Sequence, residues 1–338
     1  MGCLRAIDDG VGVMVRNLPA REALTVCFAH AAYRLGDRFA LRNTGLRHFQ
    51  VSNLDDLKSR VAEADVLVCS GLWRNELIAI APKLAFVQSV SAGTDQYSRD
   101  ALGAAGIRAA SAQGVNERAV AEHAIALILA IARKIPEARD HQVAKKWRPM
   151  IGELSRREDE LCGKTLVIVG MGRIGSRLAT LARAFDMKTV GVKRDVTIGA
   201  SAADKVVPQQ QLLDVVREAD FVVLTCPLTP ETENLIDARV FAAMKPTSYL
   251  INVARGKVVD ETALIDAIHS GGIAGAALDT VREEPLSESS PLWTLPNVLI
   301  TPHSAGETRR YEDNVIDLLI ENLARMWRGE IELKNQFV

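Results

Sequence analysis

Short apolar runs alternate with amphipathic stretches along most of this chain, the pattern of a parallel sheet covered by helices. In the first third the runs Val11–Val15, Val66–Cys69, Phe86–Ser89 and Ile107–Ala110 predict strands, and Asp55–Ala62 and Arg99–Ala105 predict helices. A long helix is expected over Glu117–Lys134, with apolar residues at helical spacing and basic residues in its last turn. From Leu161 the beat sharpens. Strands are expected at Thr165–Val169, Lys188–Val192, Phe221–Thr225, Tyr249–Val253, Ala274–Asp279 and Val298–Thr301. The intervening helices are Ile174–Phe185, Gln209–Glu218 and Asp260–His269, and an amphipathic helix, Thr308–Trp327, follows the last strand. The charged stretch Arg148–Glu160 is expected as a surface excursion and Ser287–Pro291 as a loop.

Composition narrows the class without changing this picture. The chain has 338 residues, 48% hydrophobic and 25% charged, which suits two globular domains with real cores. Basic and acidic residues nearly cancel, 41 against 42, and no basic block stands out, so a nucleic-acid partner is not expected. Cys3, Cys27, Cys69, Cys162 and Cys226 are far apart and form no CxxC pair, so neither a zinc site nor a disulfide framework is expected. The amino terminus lacks a long apolar run, and Val120–Ala132 is too short to span a bilayer. Met1-Gly2-Cys3 hints at lipidation, but Ala6 stands where a myristoylation signal wants Ser or Thr. A cytoplasmic location with no membrane attachment is the expectation.

Gly170-Met171-Gly172-Arg173-Ile174-Gly175 is a GxGxxG sequence. Alone it is weak, but here it follows the apolar strand LVIV and opens a helix, the context the fingerprint needs. Gly170 permits the tight turn, Gly172 lets backbone N–H groups approach a pyrophosphate, and Gly175 lets helix and strand pack closely. The helix start at Arg173 and Ile174 then presents unpaired N–H donors to the anion. In an NAD site an acidic residue about 20 positions later takes the ribose 2′-OH. Eighteen residues after Gly175 this chain carries Lys193, followed by Arg194. Such a cation pair would attract the 2′-phosphate of NADP. NADP is therefore the expected cofactor, with NAD the alternative if Asp195, two positions on, takes the acidic role.

Three further segments are Ile251-Asn252-Val253-Ala254-Arg255-Gly256, Leu278-Asp279-Thr280-Val281-Arg282-Glu283-Glu284-Pro285 and Thr301-Pro302-His303-Ser304-Ala305-Gly306. Together with the glycine loop they closely resemble the D-isomer-specific 2-hydroxyacid dehydrogenases, from about Asp65 to the terminal helix. The chemistry fits the residues. Hydride reaching C2 of a keto acid leaves charge on the carbonyl oxygen, so a proton donor is needed there. His303 is the candidate, because a histidine titrates near working pH. A neighbouring carboxylate would orient the ring and favour its protonated form, and the resemblance gives that role to Glu284. Arg255 would polarise the keto oxygen and hold the substrate carboxylate with its planar fork. The cofactor cleft is expected to include Cys226, Pro227, Ala254 and Asp279, the last either touching the cofactor or serving as a strand-end cap. Cys226 stands where relatives often carry histidine and is given no chemical role.

The resemblance implies a Rossmann nucleotide-binding domain, residues 114–306, inserted into a flavodoxin-like substrate domain, residues 1–113 and 307–338, both doubly wound parallel sheets. Val90-Ser91-Ala92-Gly93-Thr94-Asp95 resembles the loop whose backbone N–H groups bind the substrate carboxylate, which points to Ala92 and Gly93. Leu72 and Trp73 are expected to wall the substrate pocket. Trp147 lies in a segment that crosses a dimer interface in relatives, so a homodimer is expected. After the terminal helix there is no room for the regulatory domain of many phosphoglycerate dehydrogenases, and Glu284 argues against formate dehydrogenase, whose pattern pairs histidine with glutamine. Glyoxylate and hydroxypyruvate lead as substrates, with bulkier 2-keto acids open. The rival class is a dinucleotide-sensing corepressor on the same fold.

Overall fold

The apolar runs become strands of two parallel sheets in the computed structural model, which describes residues 15–197 and 202–338. The expected strand at Val11–Val15, except Val15 itself, and the Met1-Gly2-Cys3 terminus lie outside the described residues. The first sheet contains β1 (Thr25–Ala29), β2 (Arg47–Val51), β3 (Val66–Cys69), β4 (Phe86–Ser89) and β5 (Arg108–Ala110). Its order is β2-β1-β3-β4-β5, every pairing parallel, which is the flavodoxin-like arrangement. The second contains β6 (Thr165–Val169), β7 (Lys188–Lys193), β8 (Lys205–Pro208), β9 (Phe221–Leu224), β10 (Tyr249–Asn252), β11 (Gly275–Leu278) and β12 (Val298–Ile300). Its order is β12-β11-β10-β9-β6-β7-β8, again all parallel. The chain winds outward from β6 to β8 and then returns to β9 on the other side. The reversal between β6 and β9 is the switch point at which such sheets bind ligands.

Two compact units carry these sheets. One takes in the described residues up to Asn116 together with Thr308–Val338, and the other is Glu117–Glu307. In the second unit, alternate residues of each strand feed cores on opposite faces, as the pleat requires. Val167, Val169, Val222 and Leu224 join one core, whereas Leu166, Ile168, Phe221 and Val223 join the other. The second of these cores is closed by the helix Glu117–Ala132 and the helix Arg173–Arg183. In the first unit Phe28, Val66, Val68 and Phe86 pack against Tyr311, Val315, Ile316, Leu319 and Leu323 of the final helix, Tyr311–Trp327.

The expected long helix ends early, at Ala132. Lys134 turns into the left-handed region (φ 50°), and a new helix, Ile135–Val143, starts with Pro136 in its first turn. Proline has no N–H to extend the first helix and disfavours helical geometry in the residue before it, so one periodic stretch becomes two helices. Strands β1, β2 and β8 were not expected and are additions to the sheets.

Trp73 requires a correction. Expected as a pocket wall, it is only 2% exposed and belongs to the core of the first unit. Its ring centroid lies 5.2 Å from that of Tyr97, and the indole N–H donates to Asn75 Oδ1 at 3.0 Å. The physical reason is area: the largest apolar side chain in the segment stabilises more by leaving water than by walling a polar site. Leu72 is partly buried against the same core. Replacing Trp73 with Ala should lower stability by about 3–5 kcal/mol in a urea titration, while the relative rates for different keto acids stay unchanged. An altered substrate ratio with stability intact would return the ring to the pocket.

Candidate active site

Every motif singled out in the nucleotide-binding half sits at, or just beyond, the carboxyl end of a strand of one sheet. Gly170 follows β6, Lys193 ends β7, Cys226 lies two residues beyond β9, Arg255 follows β10, Asp279 and Glu284 follow β11, and His303 follows β12. Parallel strands point the same way, so residues far apart in sequence gather along one edge.

The glycine loop is shaped by close contacts. Gly170 has φ +106°, and a Cβ there would lie 2.5 Å from the Cys226 backbone nitrogen. A Cβ on Gly175 would lie 2.2 Å from Gly170 O. Thr225 Oγ1 donates to that same carbonyl at 2.6 Å and fixes the turn. Around a Cβ built on Gly172, by contrast, there is nothing within 4 Å. Gly172 is the N-cap of the 11-residue helix beginning at Arg173, and no side chain caps it. The first N–H groups of that helix thus begin beside the open space at Gly172. A cavity of about 350 Å³ adjoins them, lined among others by Gly170, Gly172, Lys193, Arg194, Asp195, Cys226, Pro227 and Glu231. A dinucleotide fits this cradle: small residues where backbone must approach, a helix N-terminus for a pyrophosphate, and charge at the far end.

Charge in the cavity is already partly committed. Asp195 Oδ1 accepts from Thr197 N at 2.9 Å and from Thr197 Oγ1 at 2.6 Å, and these bonds hold its carboxyl below the usual range. The Cys226 thiol is buried, which pushes its pKa up to about 11, so it stays protonated and unreactive at neutral pH.

At the other end of the edge, His303 Nδ1 lies 2.7 Å from Glu284 Oε2. Glu284 Oε1 accepts from Val281 N at 3.2 Å, so the carboxylate is held from both sides. His303 is about half exposed and adopts φ +53°, a left-handed conformation rare outside glycine. Its N–H donates to Asp279 O at 2.8 Å and Thr301 O at 2.9 Å, and these bonds enforce the turn. Asp279, 2% exposed, turns its carboxylate to the same segment. It accepts from Thr301 Oγ1 at 2.6 Å, Ser304 N at 2.9 Å and Ala305 N at 3.1 Å, the pattern of a strand-end cap. Arg255 is half-buried; Nη1 donates to Ala254 O at 2.8 Å, and Asn252 Nδ2 donates to Arg255 O at 3.0 Å. Gly256 packs so tightly that a Cβ would meet Val281 O at 1.9 Å, which ties the Arg255 turn to the Glu284 loop.

The sequence matches the profile of the D-isomer specific 2-hydroxyacid dehydrogenase NAD binding domain over residues 125–305. The chain belongs to this family. It is a nicotinamide-dependent oxidoreductase of the 2-hydroxyacid class. It is 36% identical over 293 residues to a glyoxylate reductase of Aeropyrum pernix, covering 84% of this chain and 86% of that one. A D-3-phosphoglycerate dehydrogenase of Synechocystis is 38% identical over an alignment of 285 residues, with 77% of this chain and only 50% of that longer one covered. Among solved structures, an NADPH-dependent glyoxylate/hydroxypyruvate reductase of Sinorhizobium meliloti, in complex with NADP and malonate, superposes with a TM-score of 0.76 at 25% identity, covering 94% of this chain and 97% of that one. Among the described residues no helix is long and apolar enough to cross a membrane.

In the first unit, the turn after β4 carries Ala92 and Gly93, both half-buried. Hydroxyls organise it: Ser70 Oγ accepts from Val90 N and Ser91 N, each at 2.9 Å, and Ser91 Oγ donates to Gly93 O at 2.9 Å. Sequence reasoning gave no role to Thr225, Asn252, Thr301 or His123. The first three sit at strand ends, where a side chain that bonds backbone is the available signal. His123 Nε2 lies 3.0 Å from Thr301 Oγ1, a contact spanning 178 positions that no local pattern announces.

Proposed function

We propose that this chain reduces small 2-keto acids to 2-hydroxy acids with NADPH in preference to NADH, glyoxylate and hydroxypyruvate being the leading substrates. The observation that carries the reading is the His303–Glu284 pair at 2.7 Å, beyond the strands of the sheet that holds the glycine cradle. The names of the Aeropyrum and Sinorhizobium relatives support the choice of substrates.

The roles follow from donor and acceptor bookkeeping. A carboxylate accepts hydrogen bonds and donates none, so the proton on Nδ1 of His303 belongs to the bond with Glu284. Nε2 is then the nitrogen left to act on substrate. The bound nicotinamide supplies the hydride that reaches C2 in reduction and takes it back in oxidation. His303, protonated on both nitrogens, gives its Nε2 proton to the carbonyl oxygen as the C2–O double bond becomes single. In the reverse direction neutral His303 takes the hydroxyl proton. Glu284 holds the ring in place. Arg255 has one guanidinium nitrogen held by Ala254 O, and we assign its remaining donors to the substrate carboxylate and keto oxygen. Ala92 and Gly93 keep their expected role as backbone donors to a carboxylate.

The NADPH preference rests on the cation pair at the end of β7. Lys193 is the last residue of the strand, Arg194 follows, and the nearest carboxylate in sequence, Asp195, is tied up by Thr197. We also propose a homodimer. Trp147 and Met150 are each 98% exposed, an apolar surface in the segment where the resemblance puts an interface.

kcat/KM for NADPH should exceed that for NADH, and Lys193→Asp with Arg194→Ala should move the ratio toward NADH by about tenfold or more, since a charge-assisted phosphate contact contributes about 1.5–3 kcal/mol. Equal efficiency with both cofactors in the parent enzyme would overturn the preference. His303→Ala should cut kcat by about 10²–10⁴ with cofactor affinity nearly intact. Full turnover in His303→Ala, with chemistry rate-limiting, would remove His303 from the proton transfer. Light scattering should give twice the chain mass, and Trp147→Glu with Met150→Glu should reduce it toward one chain; a monomeric parent would refute the dimer.

A further inference from the structure

We infer that His123 is a positioning residue for the segment that carries His303, acting through Thr301 and Asp279. The inference rests on the reading of His303 as proton donor. His123 lies in the helix Glu117–Ala132, and its Nε2 is 3.0 Å from Thr301 Oγ1 and 3.5 Å from Asp279 Oδ1. Thr301 Oγ1 stands 2.6 Å from Asp279 Oδ1.

Proton counting gives this chain a direction. A carboxylate has no proton to give, so the single hydroxyl proton of Thr301 goes to Asp279. Thr301 Oγ1 can then only accept from His123, which fixes a hydrogen on His123 Nε2 in both the neutral and the charged ring. The order is His123 to Thr301 to Asp279. Asp279 in turn receives Ser304 N and Ala305 N on its carboxylate and His303 N on its carbonyl. Two successive contacts lead from the helix to Asp279, and three more that Asp279 accepts tie it to the backbone from His303 to Ala305. His303 sits at φ +53°, a conformation its surroundings must impose, so loosening this chain lets the imidazole drift from its working position. A shift on the order of 1 Å is enough to slow a positioned reaction by tenfold or more.

The test compares His123→Leu, His123→Gln, Thr301→Val and Thr301→Ser. Gln puts a permanent N–H donor near the place of Nε2, and Ser keeps the hydroxyl. We expect His123→Leu and Thr301→Val each to lower kcat for glyoxylate reduction about tenfold, with KM and the Kd for NADPH within about twofold of the parent. Gln and Ser should restore most of the loss. The double variant His123→Leu/Thr301→Val should be little worse than either single one, because both break the same chain. If His123→Leu does not fold, Thr301→Val against Thr301→Ser, and His123→Gln against the parent, decide the matter. Parent-like kcat in His123→Leu or Thr301→Val, no rescue by Gln or Ser, or losses that multiply in the double variant would overturn the inference. His303→Ala with full turnover would instead overturn the reading beneath it.

Discussion

Asp279 is a charged group placed where charge is expensive, and the geometry around His303 depends on how that cost is met. An ionised carboxylate out of water is stable only when its oxygens are hydrogen-bonded. Here one hydroxyl and two backbone N–H groups do this, all from the segment Thr301–Ala305. Each bond to a charged group contributes about 1.5–3 kcal/mol, and losing one would leave a buried anion under-satisfied. The segment therefore has little freedom to take another path. Its fixed course sets the left-handed turn at His303 and the direction in which the imidazole meets Glu284.

The same sheet edge works in two different ways at its two ends. Around Gly170 and Gly175 the requirement is the absence of side chains: a single methyl at either position would collide with backbone. Around His303 the requirement is anchoring, with the Asp279 and Glu284 carboxylates each given partners on the surrounding segments. An anion-binding cradle must leave its N–H groups unspent, whereas an acid–base group must be held still. Parallel topology lets both coexist, because each strand delivers its own loop to the edge and loops on different strands are shaped independently.

Much of this was legible in the sequence where a strand is buried on both faces. LVIV, FVVL and VLVC read as strands because all of their residues are apolar. Edge strands did not read so clearly. Arg47–Val51 and Lys205–Pro208 lie at the ends of their sheets, are half solvated, and carry charged or polar residues that blur the pattern. Thr25–Ala29, though central and buried, is five residues in a longer apolar, alanine-rich stretch whose period does not distinguish strand from helix. At the site, the glycines, Arg255, Glu284 and His303 announced themselves through local motifs. Trp73 misled because an aromatic beside a presumed pocket looks the same in sequence whether it faces ligand or core. His123 was silent because its partner is 178 residues away.

The discontinuous composition of the first unit has a consequence for how the chain folds. The helix Tyr311–Trp327 supplies Tyr311, Val315, Ile316, Leu319 and Leu323 to the core that packs on Phe28 and Phe86, and Phe337 N donates to Ala109 O at 2.9 Å. During synthesis this core lacks a wall until the helix Tyr311–Trp327 emerges, after the whole of the second unit. The second unit is continuous and can close first, reversing the usual amino-to-carboxyl order of domain folding. Once formed it ties together the two ends of its insertion, and the final helix then docks without the entropy loss of closing a long flexible loop. The inserted unit thus acts as an internal template for the assembly of its host.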